Sequence, residues 1–125
     1  MGYGRTGEER VPQVIYKICR PQEWHEAERD GVFRGLPVDV RDGFIHFSTA
    51  EQVAETAARH FAGADGLVLI AVDAAKLGGA LKWEPSRGGA LFPHLYGTLP
   101  LDAVTWTAPL PLGRDGRHVF PELMP

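Results

Sequence analysis

The chain has a single cysteine, Cys19, which excludes an internal disulfide and a cysteine-built zinc site. It has no excess of positive charge. Thirteen Lys and Arg face 16 Asp and Glu, and a net charge of -3 argues against binding extended nucleic acid. No apolar run reaches the length of a membrane span, since Leu67 to Val72 is only strand-sized. The N-terminal stretch lacks the apolar core of a signal peptide, so residues 1–12 read as a flexible polar tail and the cytoplasm as the expected compartment. What remains is ordinary for a globular protein: 125 residues, 44% hydrophobic and 23% charged, enough for one domain over residues 13–125 with its own core.

The pattern along the chain predicts an α+β domain, a mixed or antiparallel sheet flanked by two helices. Val14, Tyr16 and Ile18 alternate on one face of a first strand over Gln13 to Cys19. Pro21 opens a short helix that Gly31 stops, with Trp24 and Ala27 as its apolar contact. Gly35 to Gly43 is rich in Gly, Pro and Asp and predicts a loop. Ser48 with Glu51, or Thr49 with Gln52, has capping-box spacing ahead of a helix whose stripe is Val53, Ala57 and Phe61, ended by Gly63. Leu67 to Val72 is a central strand, Ala74 to Leu77 a single helical turn, and Ala80 to Glu84 and Asp102 to Thr107 are further strands.

Chemistry concentrates in three places. In Phe44-Ile45-His46-Phe47-Ser48, period two sets Phe44, His46 and Ser48 on one face, and a histidine between large apolar residues needs a partner or a task. His46 also precedes a helix N-terminus, a setting that favours an anion. His94, in Phe92-Pro93-His94-Leu95-Tyr96, shares a face with Tyr96 if extended, and reads equally well as a histidine at a sheet edge. Glu84, beside Trp83, joins Ser86, Arg87 and two glycines in a turn: a base or hydroxyl-orienting carboxylate, and a guanidinium for phosphate. Lys17 stands inside the first strand, either snorkelling to solvent or pointing its ammonium into the same cleft. A metal site on His46 and His94 would lack a third ligand, so no metal is expected. His25 and His118 read as surface residues, and His60 as a solvated one in a last helical turn.

Ile15-Tyr16-Lys17-Ile18, Trp24, Asp42 to Thr49, Gln52, Thr56-Ala57 and His60-Phe61 resemble domain-of-unknown-function family 952. Val72-Asp73, Leu77, Trp83-Glu84, Phe92 to Gly97 and Val104 extend that likeness over roughly residues 13 to 120. More distantly, Phe44 to Ser48 is similar to a histidine strand of tRNA 2′-phosphotransferases, whose fold is ADP-ribosyltransferase-like. Leu69 to Asp73, Ser86 to Gly89 and Leu99-Pro100 follow in the same order. Where those families carry further histidines, this chain has Lys17 after Tyr16, and Phe44. The resemblance implies an ADP-ribosyltransferase-like fold and a ligand such as NAD, ADP-ribose or a 2′-phosphorylated nucleotide. With the residues above, it gives catalytic candidates His46, Glu84 and His94, and ligand-binding candidates Tyr16, Lys17, Ser48, Thr49, Arg87 and Tyr96. The alternative is a non-catalytic module for a small molecule or protein that retains the cleft.

Overall fold

The computed structural model describes residues 12–125; the expected tail lies almost wholly outside them. Among these residues eight strands and three α-helices follow in the order β1 (Val14–Cys19), α1 (Pro21–Asp30), β2 (Val32–Phe33), α2 (Pro37–Asp42), β3 (Ile45–His46), α3 (Val53–His60), β4 (Leu67–Asp73), β5 (Leu81–Ser86), β6 (Ala90–Leu95), β7 (Leu99–Pro100) and β8 (Val104–Leu110). Among the described residues, two three-stranded sheets, β1-β4-β8 and β3-β6-β5, are accompanied by the small β2-β7 pair, and every strand pairing is antiparallel. The chain is thus a single α+β domain, and the sheets of the described residues are antiparallel.

β3 is where the two larger sheets meet. Its ladder with β6 is only two residues long, pairing Ile45 with Leu95 and His46 with His94. The chain then continues extended, and Phe47 donates its N–H to Pro93 O at 3.0 Å. Ser48 exchanges two backbone hydrogen bonds with Tyr16, at 2.8 and 3.0 Å, which ties this segment to β1. The expected facing holds: Ile45 and Phe47 enter the core while His46 and Ser48 turn to the other side.

β4 is central and buries both faces, as its unbroken apolar run requires. Ile70 and Val72 pack with Ile15, Cys19, Trp24, Phe33, Phe47 and Leu95, while Leu69 and Ala71 pack with Tyr16, Ile18, Val53 and Ala57. Two expectations need correction. The flanking helices number three, because Gly35 to Gly43 is not a loop: Pro37 supplies the first turn of α2 and Gly43, at φ 88°, closes it. Moreover, the His94 segment is no sheet edge, since β6 lies between β3 and β5.

Candidate functional site

The site forms at β3 and β6, with residues of α2 and α3 in its walls. His46 and His94 are cross-strand partners, so their rings meet edge to face with centroids 5.4 Å apart. Phe44 braces both: its ring stacks on His94 at 4.2 Å and tilts against His46 at 4.6 Å and Tyr96 at 5.1 Å. Both histidines open onto one cavity of about 680 Å³, a size ordinary for a small-molecule site. Arg41 and Asp42 of α2, Thr56 and Arg59 of α3, and Ser48 and Ser86 share its walls.

Behind His46 lies a residue that sequence reasoning missed. Asp39, 2% exposed, pairs with the Lys17 ammonium at 2.9 Å and accepts the His46 Nδ1–H at 2.7 Å. It also accepts the backbone N–H groups of His46 at 3.0 Å and Leu36 at 2.7 Å. Burial alone would raise the Asp39 carboxyl. The His46 ring, the Lys17 ammonium and those two backbone donors instead hold it down at about 2. Burial pushes the Lys17 ammonium down from its ordinary range, and Asp39 opposes that shift. Gly35 makes the seat for this carboxylate: its φ is +105°, and a Cβ there would come within 2.8 Å of the Asp39 Cβ.

Behind His94 lies a more open carboxylate. Glu84 Oε1 accepts the His94 Nδ1–H at 2.7 Å and the Tyr96 hydroxyl at 2.8 Å. Those two donors hold the Glu84 carboxyl below its usual range, and the same bond raises the Tyr96 hydroxyl. Among the described residues, His94 Nε2 has no partner, whereas His46 Nε2 lies 3.1 Å from Asp42 Oδ2.

The candidates read from sequence therefore separate. His46, His94 and Ser48 line the cavity, with Ser48 Oγ bonded to Thr56 Oγ1 at 2.7 Å. Glu84 and Tyr96 do not line it, and act on His94 from behind. Lys17 does not snorkel: at 6% exposed it borders the cavity, but its Nζ is bonded to Asp39 and to His46 O. Tyr16, also at the wall, packs its ring on Trp106 and bonds its hydroxyl to the Met124 backbone. Thr49 is buried at the start of the α3 turn, where its N–H reaches Gln52 Oε1, half of the expected capping box. The Arg87 side chain lies outside what the structure describes. His118, read as a surface residue, is half-buried and bonded to Ala64 O at 2.8 Å.

Signals for the missed residues were present. Leu36-Pro37-Val38-Asp39 places Pro at a first helical position and a carboxylate at the third, and Gly43 follows as a stop. Among the described residues no group of His, Cys, Asp and Glu is arranged to hold a metal ion, and no helix is long and apolar enough to cross a membrane.

The family described as "Protein of unknown function (DUF952)" matches residues 18–107, and the chain belongs to it. The crystal structure of protein CC0527 from Caulobacter crescentus is similar at 53% identity and a TM-score of 0.82, over 85% of this chain and 93% of that one. The solution NMR structure of CC0527 is also 53% identical, with a TM-score of 0.76 over 84% of this chain and 90% of that one. No curated protein matches. These findings carry the family and the α+β architecture; an ADP-ribosyltransferase-like assignment goes beyond them.

Proposed function

We propose that this member of the DUF952 family binds a small phosphate-bearing ligand of nucleotide size and acts on it by proton transfer. The observation that carries this proposal is the opening of His46 and His94, paired across two strands, onto one cavity with Arg41 and Arg59 in its walls. Two guanidinium groups supply charge-assisted donors for phosphate oxygens. The hydroxyls of Ser48, Thr56 and Ser86 suit a sugar, and the rings of Phe61 and Phe92 suit a base. His94, oriented by Glu84, is the proton acceptor, because its Nδ1–H is committed and its Nε2 has no partner among the described residues.

NAD, ADP-ribose and a 2′-phosphorylated nucleotide all fall within this ligand class. An ADP-ribosyltransferase-like origin of the cleft agrees with them, but Lys17 gives its ammonium to Asp39 and His46 O rather than to the cavity. We therefore place the ligand's recognition in its phosphate rather than in a nicotinamide ring. A thermal-shift series with inorganic phosphate, AMP, 2′-AMP, ADP-ribose and NAD tests this, since a ligand bound only by the folded state raises the melting temperature. At least one nucleotide should raise it by several degrees, and His94→Ala should weaken that response. No shift with any of the five would overturn the proposal. A shift without chemical change to any ligand would mark the cleft as a binding module.

A further inference from the structure

The two rings make the same contact on one side and differ on the other. His94 donates Nδ1–H to Glu84 and keeps a lone pair on Nε2, with no partner among the described residues. His46 has carboxylate oxygens at both nitrogens, Asp39 at 2.7 Å and Asp42 at 3.1 Å. The Asp39 contact is a hydrogen bond, whereas the Asp42 contact is an ion-pair approach to Nε2. The two rings, 5.4 Å apart, thus differ at Nε2: His46 has a carboxylate beside it, and among the described residues His94 has none.

Asp42 also marks where an anion sits. Its Oδ2 faces His46 Nε2 and its Oδ1 accepts the Arg41 Nε–H, each at 3.1 Å, and all three residues line the cavity. The chain's own carboxylate sits between the Arg41 guanidinium and the His46 ring. A phosphate group carries equal or greater charge and takes the same two donors.

We propose that the cavity takes a ribonucleotide phosphodiester and converts it to a 2′,3′-cyclic phosphate, with His94 as base and His46 as acid. This deepens the phosphate-ligand proposal above and rests on it. The phosphate displaces Asp42 from His46 and Arg41. His94 Nε2 removes the proton of the 2′-hydroxyl, and O2′ forms a bond to phosphorus. The P–O5′ bond breaks, and the His46 Nε2 proton passes to the departing O5′. The products are a 2′,3′-cyclic phosphate and a free 5′-hydroxyl, and no further reactant is consumed. Glu84 is a positioning residue, fixing the His94 tautomer, and Phe44 holds both rings in place. A short substrate fits both the cavity of about 680 Å³ and the net charge of -3, which disfavours a long strand.

The test incubates the full chain with the ribodinucleotide UpA and, in parallel, with its deoxy counterpart dTpdA, reading products by phosphorus NMR. Phosphate binding is followed separately by calorimetry. UpA should give a 2′,3′-cyclic phosphate and adenosine, and dTpdA, lacking the attacking hydroxyl, should remain intact. His94→Gln should lose on the order of a hundred-fold or more in rate while still binding phosphate. Asp42→Asn, which removes the competing charge, should bind inorganic phosphate several-fold more tightly than the wild type. Nucleotide binding without cleavage of UpA overturns this chemistry and leaves the phosphate-ligand proposal standing; absence of any binding overturns both. Equal cleavage of the deoxy substrate, or undiminished cleavage by His94→Gln, likewise overturns it. The deoxy arm uses the wild-type chain, so the test holds even if His94→Gln fails to fold.

Discussion

His46 and His94 each give an Nδ1–H to a carboxylate oxygen at 2.7 Å, yet the two carboxylates live in opposite surroundings. The Asp39 side chain is 1% exposed and receives an ammonium, a ring N–H and two backbone N–H groups. The Glu84 side chain is 36% exposed and receives one ring N–H and one hydroxyl. A buried carboxylate with every lone pair engaged holds the fold, because removing it strands the donors around it. A carboxylate at the surface, with water for company, costs little to alter and mainly sets the orientation of the ring it touches. Equal hydrogen-bond lengths thus conceal a buried dyad, Asp39–His46, and an open one, Glu84–His94.

The largest effect should come from breaking the buried side. Asp39→Ala leaves the Lys17 ammonium and the His46 ring without their anion, and should cost about 3–5 kcal/mol in a urea melt. Glu84→Ala, measured in the same way, should barely move the midpoint. If the two losses are similar, the contrast between the dyads is wrong.

Acid unfolding sharpens the same contrast. The Asp39 carboxyl titrates at about 2 in the fold and about 4 in an unfolded chain, a depressed value. Its stabilisation is therefore complete above about pH 4 and is lost as pH falls through about 2, on the order of 2 kcal/mol in all. Lys17→Met removes the neighbouring ammonium, so the Asp39 carboxyl rises and the acid limb of a stability–pH curve should move to higher pH. An unmoved acid limb would show that Lys17 does not hold Asp39 ionised.

The two histidines were legible in the sequence and the buried carboxylate was not, for a physical reason. His46 and His94 stand out because an ionisable residue in an apolar β-run is conspicuous at period two. Asp39 sits among Gly, Pro and other Asp residues, where a carboxylate has the look of a solvated loop residue. Its burial depends on contacts far along the chain: Lys17 is 22 residues away, and no local pattern records that pair. The strand at Leu67 to Val72 and the helices after Pro21 and Ser48 were readable from local periodicity and caps. The pairing of His46 with His94 was not, since β6 contains Pro93, which reads as an edge, and its register is set by β5 and β3 together. Phe44 was legible as a face-mate of His46, whereas its bracing of both imidazoles depends on the pairing of β3 with β6.

On the open side, Glu84→Gln should leave the urea midpoint almost unchanged while lowering ligand response or turnover by about ten-fold or more. An amide offers an oxygen or an NH2 to His94 Nδ1, so the tautomer that frees Nε2 is no longer enforced. Unchanged ligand behaviour in this variant would reduce Glu84 to a surface partner.

The smallest expected effect tests whether Glu84 is itself positioned. Tyr96 is 43% exposed, and its hydroxyl shares Glu84 Oε1 with the His94 ring. Tyr96→Phe keeps the ring against Phe44 and removes only that donor. With one donor fewer, the Glu84 carboxyl should rise toward its ordinary value, and the remaining oxygen capacity should turn to water. Ligand response should fall by no more than a few-fold, less than for Glu84→Gln, with stability unchanged. The ordering carries the information: a graded loss from Glu84 to Tyr96 means that the hydroxyl acts through the carboxylate on His94. A loss in Tyr96→Phe as large as that in Glu84→Gln would instead mean that the phenol meets the ligand directly, and the cavity would then have to extend over the exposed face of β6.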